Sequence, residues 1–310
     1  MDLAIIVLCW RHTAGLPALF DSIAAQRTRH RIATVLCHNA AADAAPPVQA
    51  PPFVRTICSG GNLGYGGGNN VAIAWARREF APRHFLVLNP DVVLGEGALD
   101  ALIDWADAHP ATALVGAVQA DPRAGGGAPR AGCRYHPCFS LIRPVPAGAG
   151  DIDYVNGGCL LLRADAFADP VFAEHYFLFF EELDLAARAR AAGQDIACCA
   201  QARVLHAEGS TRDGVGDDDY RPEVAEYFEN LNALRFTRDR HPYCLPTVLA
   251  FRLCAKPAAL LLRGERLRLR FWALALGDFF LRRIRRFPFQ RGWTNGGPDT
   301  LVDAPLPRRR

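Results

Sequence analysis

The sequence predicts an α/β domain built on a mostly parallel central sheet, and three observations carry that reading. Strand-like apolar runs alternate with segments of helical spacing through residue 120, the signature of βαβ units. One run, Phe85–Leu88, is continuously apolar, as in a strand buried on both faces. It leads into Asn89-Pro90-Asp91. Proline cannot donate to a sheet ladder, so the strand must stop at Asn89 and set Asp91 just past its C-terminal end, where open α/β sheets bind ligands. With 310 residues and 50% hydrophobic content, the chain can bury a full core.

In chain order, Leu3–Cys9 reads as a buried strand. Leu16–Gln26 carries Leu16, Leu19, Phe20 and Ile23 at helical spacing, with Pro17 near its start. Ile32–Cys37 is a second strand ending at His38-Asn39, Ala40–Pro52 a loop, and Phe53–Cys58 a third strand. Asn69–Arg78 and Leu99–Ala108 are helices, and Ala113–Val118 a strand. Asp121–Gly150 is rich in Gly and Pro and reads as a mobile excursion over the site. Asp153–Arg163 returns as a strand broken at Gly157-Gly158. Phe177–Ala192 runs into a helix that stops at Gly193, Ile196–Leu205 is a last strand leading to His206, and Arg221–Asp239 is an amphipathic helix.

The net charge of +3 hides an asymmetry. Residues 1–239 hold 20 Arg against 28 Asp and Glu, a net −8, whereas residues 240–310 hold 14 Arg and one Lys against 4 acids, a net +11. A catalytic domain over 1–240 and a basic tail over 241–310 follow, with an anionic surface as the tail's expected partner. In the tail, Leu245–Phe251, Leu260–Leu262 and Phe271–Leu281 are apolar, and Arg263, Arg266, Arg268, Arg270, Arg282, Arg283, Arg285 and Arg286 stand between and after them. Amphipathic helices of this kind lie in a membrane interface, each cation near an anionic leaflet adding about 1 kcal/mol. The alternative is a helical cap packed on the domain with its arginines in water. Its Phe, Trp and Leu favour a lipid boundary over a phosphate groove, so no nucleic-acid partner is expected.

No membrane-spanning run is expected, because Arg252, Lys256, Arg263 and Asp278 interrupt the best stretches. Ten scattered cysteines without a Cys-x-x-Cys pair suit free thiols in a reducing compartment. The chain opens on a strand without a charged leader. The expected location is the cytoplasm, peripherally on the inner face of the membrane.

Four segments could carry chemistry. Ser59–Asn70 (SGGNLGYGGGNN) lies between a strand and a helix; its glycines let backbone amides approach an anion at a helix N-terminus. Neither the dinucleotide Gly-x-Gly-x-x-Gly after the first strand nor a P-loop Gly-Lys-Ser/Thr is present. Phe177–Asp184 (FLFFEELD) sets Glu181, Glu182 and Asp184 at a helix start beside four large apolar residues. Burial raises a carboxylate's pKa and the helix terminus lowers it, and the sequence leaves that balance open. Asp91 and His206 fall on one rim of the sheet. Two such ligands suit a divalent cation completed by substrate phosphates and water.

In their order, NLGYGGGNN (62–70), LNPDV (88–92), DYVNGGCLLLR (153–163), FLFFEELDLAARARAAG (177–193), VLHAEGS (204–210) and NLNALRF (230–236) resemble family 2 glycosyltransferases, most closely the rhamnosyltransferase-like branch. The resemblance covers about residues 3–240 and implies a single GT-A (Rossmann-like) domain, an Mg²⁺ or Mn²⁺ ion and a nucleoside-diphosphate sugar donor, dTDP-rhamnose favoured. It also implies inversion by direct displacement onto a glycan or lipid-linked acceptor, in cell-surface polysaccharide synthesis. Carried over, Asp91 stands at the metal-binding aspartate, Asn89 in place of the motif's first acid, and His206 at a metal-ligating histidine. Glu181-Glu182 falls on the Glu-Asp pair whose second member is the catalytic base. Asn39, Asn62, Gly64 and Asn69 belong to the donor side, and Gly157-Gly158 to a small-residue turn near the sugar. Two departures stand out: His38 replaces an aspartate that contacts the base, and Glu182 is one methylene longer than the family's aspartate.

Overall fold

The computed structural model describes residues 1–11, 13–122, 128–206, 222–287 and 300–303. Ala207–Ser210 of the VLHAEGS segment, residues 123–127 of the expected excursion and Arg221 lie outside the described residues. Four parallel strands form one half of the sheet in the order β3 (Val54–Cys58), β2 (Ile32–His38), β1 (Leu3–Cys9) and β4 (His84–Leu88). Beyond β4 follow β9 (Cys159–Arg163), antiparallel to both neighbours, then β6 (Thr112–Ala120), β10 (Asp195–His206) and β5 (Val92–Leu94). β6 and β10 are parallel, and short β5 closes that edge antiparallel to β10. Helices α1 (Leu16–Ala24), α2 (Gly64–Phe80), α3 (Ala98–Ala108) and α4 (Glu181–Ala191) accompany the sheet. Every residue of β4 is buried, as a continuous apolar run requires. Two apolar clusters form the core, one containing Ile6, Val87, Leu160 and Phe172, the other Val7, Leu88, Leu99 and Leu161.

Several sequence expectations are corrected. Arg130–His136 (β7) and Leu141–Pro146 (β8) form an antiparallel hairpin on β6, so the 121–150 stretch is largely a folded edge. Cys133, Tyr135 and Val145 point inward from it. Pro144 and Pro146 obscure this alternation in the sequence but suit β8, whose one partner among the described residues is β7. The glycine run is not a loop preceding a helix at Asn69: α2 begins at Gly64 and includes Gly66, Gly67 and Gly68. Helical glycines cost about 1 kcal/mol each relative to alanine, but larger side chains would not fit. A Cβ at Gly68 would lie 2.5 Å from Leu8 Cδ1, and one at Gly66 3.1 Å from Phe172 Cβ. Phe177–Phe180 is not helical, since Phe177, Phe179 and Phe180 all have positive φ (59°, 67° and 74°).

The tail folds into α6 (Leu245–Leu262) and α7 (Arg266–Phe280), packed on α5 (Pro222–Arg240). Val224, Tyr227, Phe228 and Leu231 of α5 meet Val248 of α6 and Phe271, Ala275 and Phe279 of α7. Each such burial contributes roughly 1.5–3 kcal/mol. Glu226, fully buried, receives Lys256 Nζ at 2.8 Å and Arg268 Nη2 at 2.7 Å. Arg285 Nε lies 2.7 Å from buried Asp278. Arg268 and Arg285 are therefore committed to the interior of the cap, while Arg263, Arg266, Arg270, Arg282 and Arg283 remain exposed.

Contrary to the sequence expectation, Pro242–Leu262 is long and apolar enough to cross a membrane by length and composition. Its interrupting cations face the protein: Lys256 reaches Glu226, and buried Arg252 donates to Asn230 Oδ1 at 2.6 Å. Leu253, Leu261 and Leu262 of this helix are exposed.

Candidate active site

The strand register assembles the site. β1, β2 and β4 run parallel, with Cys9 level with His38 and the end of β4, Leu88, level with Val7. In the antiparallel pairing of β10 with β5, His206 faces Val92. His206, the last residue of its strand, therefore sits beside Asp91, 115 positions away in sequence. Its Nε2 lies 3.4 Å from Asp91 Oδ1. Gln119 Oε1, which can only accept, lies 3.2 Å from Nδ1, and Asn89 Nδ2, which can only donate, lies 3.3 Å from Nε2. The two amides select the tautomer with its proton on Nδ1 and its lone pair on Nε2, facing a carboxylate. Gln119 gives His206 an outer hydrogen bond of the kind that orients metal-ligating histidines. Among the described residues no group of three or more His, Cys, Asp or Glu side chains could hold a metal. Asp91 and His206 are of the ligand types a divalent cation takes, and the two alone leave most of its coordination to other groups.

Gly157 and Gly158 form the floor between this pair and the acids of α4. A Cβ at Gly158 would lie 2.5 Å from Cε1 and Nδ1 of His206; one at Gly157 would collide with Glu182 Oε1 and lie 2.6 Å from the Tyr65 hydroxyl. Only a residue without a side chain lets the imidazole and the carboxylate approach the same turn. The turn is held by Asn89 N donating to Gly158 O at 3.0 Å, by Gly158 N donating to Asn156 Oδ1 at 3.0 Å, and by Tyr65 Oη donating to Gly157 O at 2.8 Å.

The two glutamates separate by environment. Glu181 is buried, 1% exposed, and its Oε1 has no partner among the described residues. Burial, then the neighbouring Glu182, pushes its carboxyl well above the ordinary range. Glu182 is half-buried and faces the glycine turn. Their placement follows from the left-handed turn before α4. Asn232 of α5 donates through Nδ2 to the carbonyls of Tyr176 and Leu178, both at 2.8 Å, and Phe177 stacks on Phe228 with centroids 5.1 Å apart. Phe177 O accepts from Tyr65 N at 2.8 Å, joining this turn to the start of α2.

On the side that the resemblance assigns to the donor, Asn39 and Asn62 build the loop. Asn39 Nδ2 donates to Asn62 Oδ1 at 3.1 Å and to Gly64 O at 3.0 Å, while Asn39 Oδ1 accepts from Leu63 N at 3.0 Å. Gly64 adopts φ +76°, and a Cβ there would collide with Phe177 O. Asn69 donates back to Tyr65 O at 3.0 Å; its buried Oδ1 has no partner among the described residues. His38 is buried, its Nδ1 likewise without one, and burial lowers its pKa. The structure thus gathers Asn89, Asp91, His206 and Glu182 around the Gly157-Gly158 turn, buries Glu181 beside Glu182, and joins Asn39 to Asn62 and Gly64 where α2 begins. Sequence reasoning missed Tyr65 and Gln119. Tyr65 stood inside the glycine-rich segment, and Gln119 was a polar residue at the C-terminal end of an apolar strand, the position already used to single out Asp91.

An open α/β sheet with a carboxylate-bearing crevice on its C-terminal rim and helices closing over one side is the architecture of GT-A glycosyltransferases. The profile described as "Glycosyltransferase like family 2" matches residues 2–221. The N-acetylglucosaminyl-diphospho-decaprenol L-rhamnosyltransferase of Mycobacterium tuberculosis is 30% identical over 212 residues, 58% of this chain and 67% of that one. Among solved structures, residues 1–349 of S. aureus TarS align over 90% of this chain and 80% of that one, at 15% identity and TM-score 0.56. Mannosyltransferase PcManGT from Pyrobaculum calidifontis, in complex with GDP-Man and Mn²⁺, aligns over 90% and 87%, at 14% identity and TM-score 0.51. The chain belongs to glycosyltransferase family 2 and is a glycosyltransferase.

Proposed function

We propose that this enzyme moves a sugar, rhamnose favoured, from a nucleoside-diphosphate donor to a glycan or lipid-linked acceptor with inversion, in cell-surface polysaccharide synthesis. The observation carrying this reading is the Gly157-Gly158 turn, against which Glu182 presses on one side and His206, paired with Asp91, on the other. Asp91 and His206 would hold an Mg²⁺ or Mn²⁺ ion, which when bound neutralises charge on the leaving diphosphate. Glu182 takes the proton of the acceptor hydroxyl as its oxygen attacks the anomeric carbon from the face opposite the diphosphate. The sugar–phosphate bond breaks as the new glycosidic bond forms. Glu181 is buried and its carboxyl pushed above the ordinary range by burial and by Glu182, so the base role goes to the half-exposed member of the pair. The favoured donor, dTDP-rhamnose, is supported by the similarity to the mycobacterial rhamnosyltransferase.

A second reading keeps the fold and changes the donor to a UDP-hexose or a galactofuranose. His38, buried where the resemblance implies a base-contacting aspartate, bears on both readings alike, since thymine and uracil are both pyrimidines. A catalytically weak nucleotide-sugar-binding scaffold is disfavoured by the retention of Asp91, Glu181 and Glu182.

For the tail, the exposed leucines of α6, with exposed Arg263 after it, Arg266 and Arg270 on α7 and Arg282 and Arg283 after α7, support peripheral attachment to an anionic membrane. This would place the enzyme on the cytoplasmic face, beside a lipid-linked acceptor. The deciding experiment incubates the protein with a panel of nucleotide sugars and Mg²⁺ or Mn²⁺ and follows nucleoside diphosphate release. Release from dTDP-rhamnose is expected; release from UDP-hexoses alone selects the second reading, and none from any donor overturns both.

A further inference from the structure

Two of the ten cysteines touch. Cys138, exposed at the tip of the β7–β8 hairpin, and Cys244, half-buried in the 3-10 turn that leads into α6, have Sγ atoms 3.3 Å apart. They are 106 positions apart in sequence, and the surrounding contacts hold them together. Thr247 Oγ1 lies 2.7 Å from the Cys138 carbonyl and 2.8 Å from that of Cys244. Phe139 meets Phe251 edge-on at 5.9 Å, and Arg252 Nη2 donates to Ser140 O at 3.4 Å. Most of the other thiols are shielded. Cys9, Cys37, Cys133, Cys159 and Cys199 are buried, and burial pushes the thiols of Cys9, Cys37 and Cys159 up to about 12. Cys254 is exposed, on the outer face of α6.

We propose that Cys138 and Cys244 form a redox couple, closed by a low-molecular-weight disulfide into a covalent tether between the catalytic domain's edge hairpin and α6. The thiolate of the more exposed Cys138 attacks one sulfur of the small disulfide, forming a mixed disulfide and releasing one small thiol. The Cys244 thiolate then attacks the Cys138 sulfur and expels the second. Two protein thiols are oxidised, one small disulfide is reduced to two thiols, and the two protons pass to them. Cys138 is exposed and Cys244 half-buried, so a small disulfide reaches Cys138 first. The loop so closed contains the Gly157-Gly158 turn, both glutamates and His206, so oxidation constrains the unfolded chain across half of the active site. None of this depends on which sugar is transferred.

The test treats the full-length protein with oxidised glutathione, blocks remaining thiols with iodoacetamide and maps tryptic peptides, with a dithiothreitol-treated control. A Cys138–Cys244 linked peptide that dithiothreitol removes is expected, together with a rise in Tm of about 5 °C that is absent in Cys138→Ser and Cys244→Ser and kept in Cys254→Ser. Recovery of both cysteines alkylated, arrest at a glutathione adduct on Cys138, or linkage to Cys254 instead would each overturn the proposal. An equal Tm rise in Cys138→Ser would do the same.

Discussion

Replacing Gly158 by alanine is the sharpest test of the crevice, because a single methyl is aimed at a single ring. The new Cβ would stand 2.5 Å from Cε1 and Nδ1 of His206, whereas ordinary contact begins at 3.4 Å, so ring and turn must separate by about 0.9 Å. Neither partner gives easily. Gly158 is pinned through its carbonyl to Asn89 N and through its amide to Asn156. His206 is the final rung of the β10–β5 ladder, and its Nδ1 is held by Gln119. A misplacement of about 1 Å at a reacting centre costs on the order of 10²-fold in rate, and the overpacking itself costs roughly 1–3 kcal/mol of stability. The expected outcome is a folded protein, with Tm lowered by a few degrees, whose turnover falls about 10²-fold. It should also lose the strengthening that Mn²⁺ gives to dTDP or UDP binding in titration calorimetry. Gly157→Ala is the internal comparison. Its Cβ strikes Glu182 and Tyr65, so turnover should fall while metal-dependent nucleotide affinity stays near wild type. A folded Gly158→Ala protein with wild-type turnover and unaltered Mn²⁺ dependence would refute the assembly of Asp91, His206 and the glycine turn into one site.

The remaining predictions concern individual side chains. Asp91→Ala should abolish Mn²⁺-dependent binding of dTDP or UDP, and unchanged affinity by calorimetry would remove Asp91 from the cation site. Glu182→Gln should lower turnover at least ~10²-fold with donor affinity intact; if Glu181→Gln is instead the inactive variant, the roles are shifted by one residue. Because the folded pKa of Glu181 is raised, its favourable contribution is full below its ordinary value of 4.5 and is lost as pH rises through the folded pKa. Wild-type Tm should therefore fall over that range relative to Glu181→Gln, and parallel Tm–pH curves for the two proteins would contradict the burial argument. Glu226→Ala leaves Lys256 and Arg268 without their shared carboxylate and should cost about 3–5 kcal/mol, read from denaturant unfolding. Replacing Leu261 and Leu262 together by glutamate should release the protein from anionic vesicles in co-sedimentation. Equal sedimentation of both proteins, or of neither, would dismiss the membrane face. Deleting the tail would be a poorer test, because it uncovers Val224, Tyr227 and Phe228 of α5.

Much of the sheet was legible because β1, β2, β4 and β6 are buried on both faces and read as apolar runs bounded by turn residues. The residues of the rim were legible for a related reason: Asp91 closely follows such a run, and His206 ends a strand, though β10 alternates buried and exposed residues. What stayed hidden depends on contacts distant in sequence. Nothing local in Gly64–Gly68 announces a helix, since its conformation is set by Asn39 and by the close approach of Leu8 and Phe172. The left-handed turn Phe177–Phe180 opposes the preference of bulky residues and persists because Asn232 and Phe228 hold it from α5. In the tail, the amphipathic pattern was visible, but the buried carboxylates that draw Lys256, Arg268 and Arg285 inward were not, since partner choice leaves no trace in charge counts.

Asn232 has an implication for exchanging parts between relatives. The side chain that fixes the turn before Glu181 and Glu182 belongs to the first of the three cap helices, so the cap begins inside the catalytic machinery. A hybrid enzyme given a foreign cap from Pro222 onward would receive someone else's brace for its own base. One joined after Arg240 would keep the native brace and leave the turn before Glu181 and Glu182 unaltered.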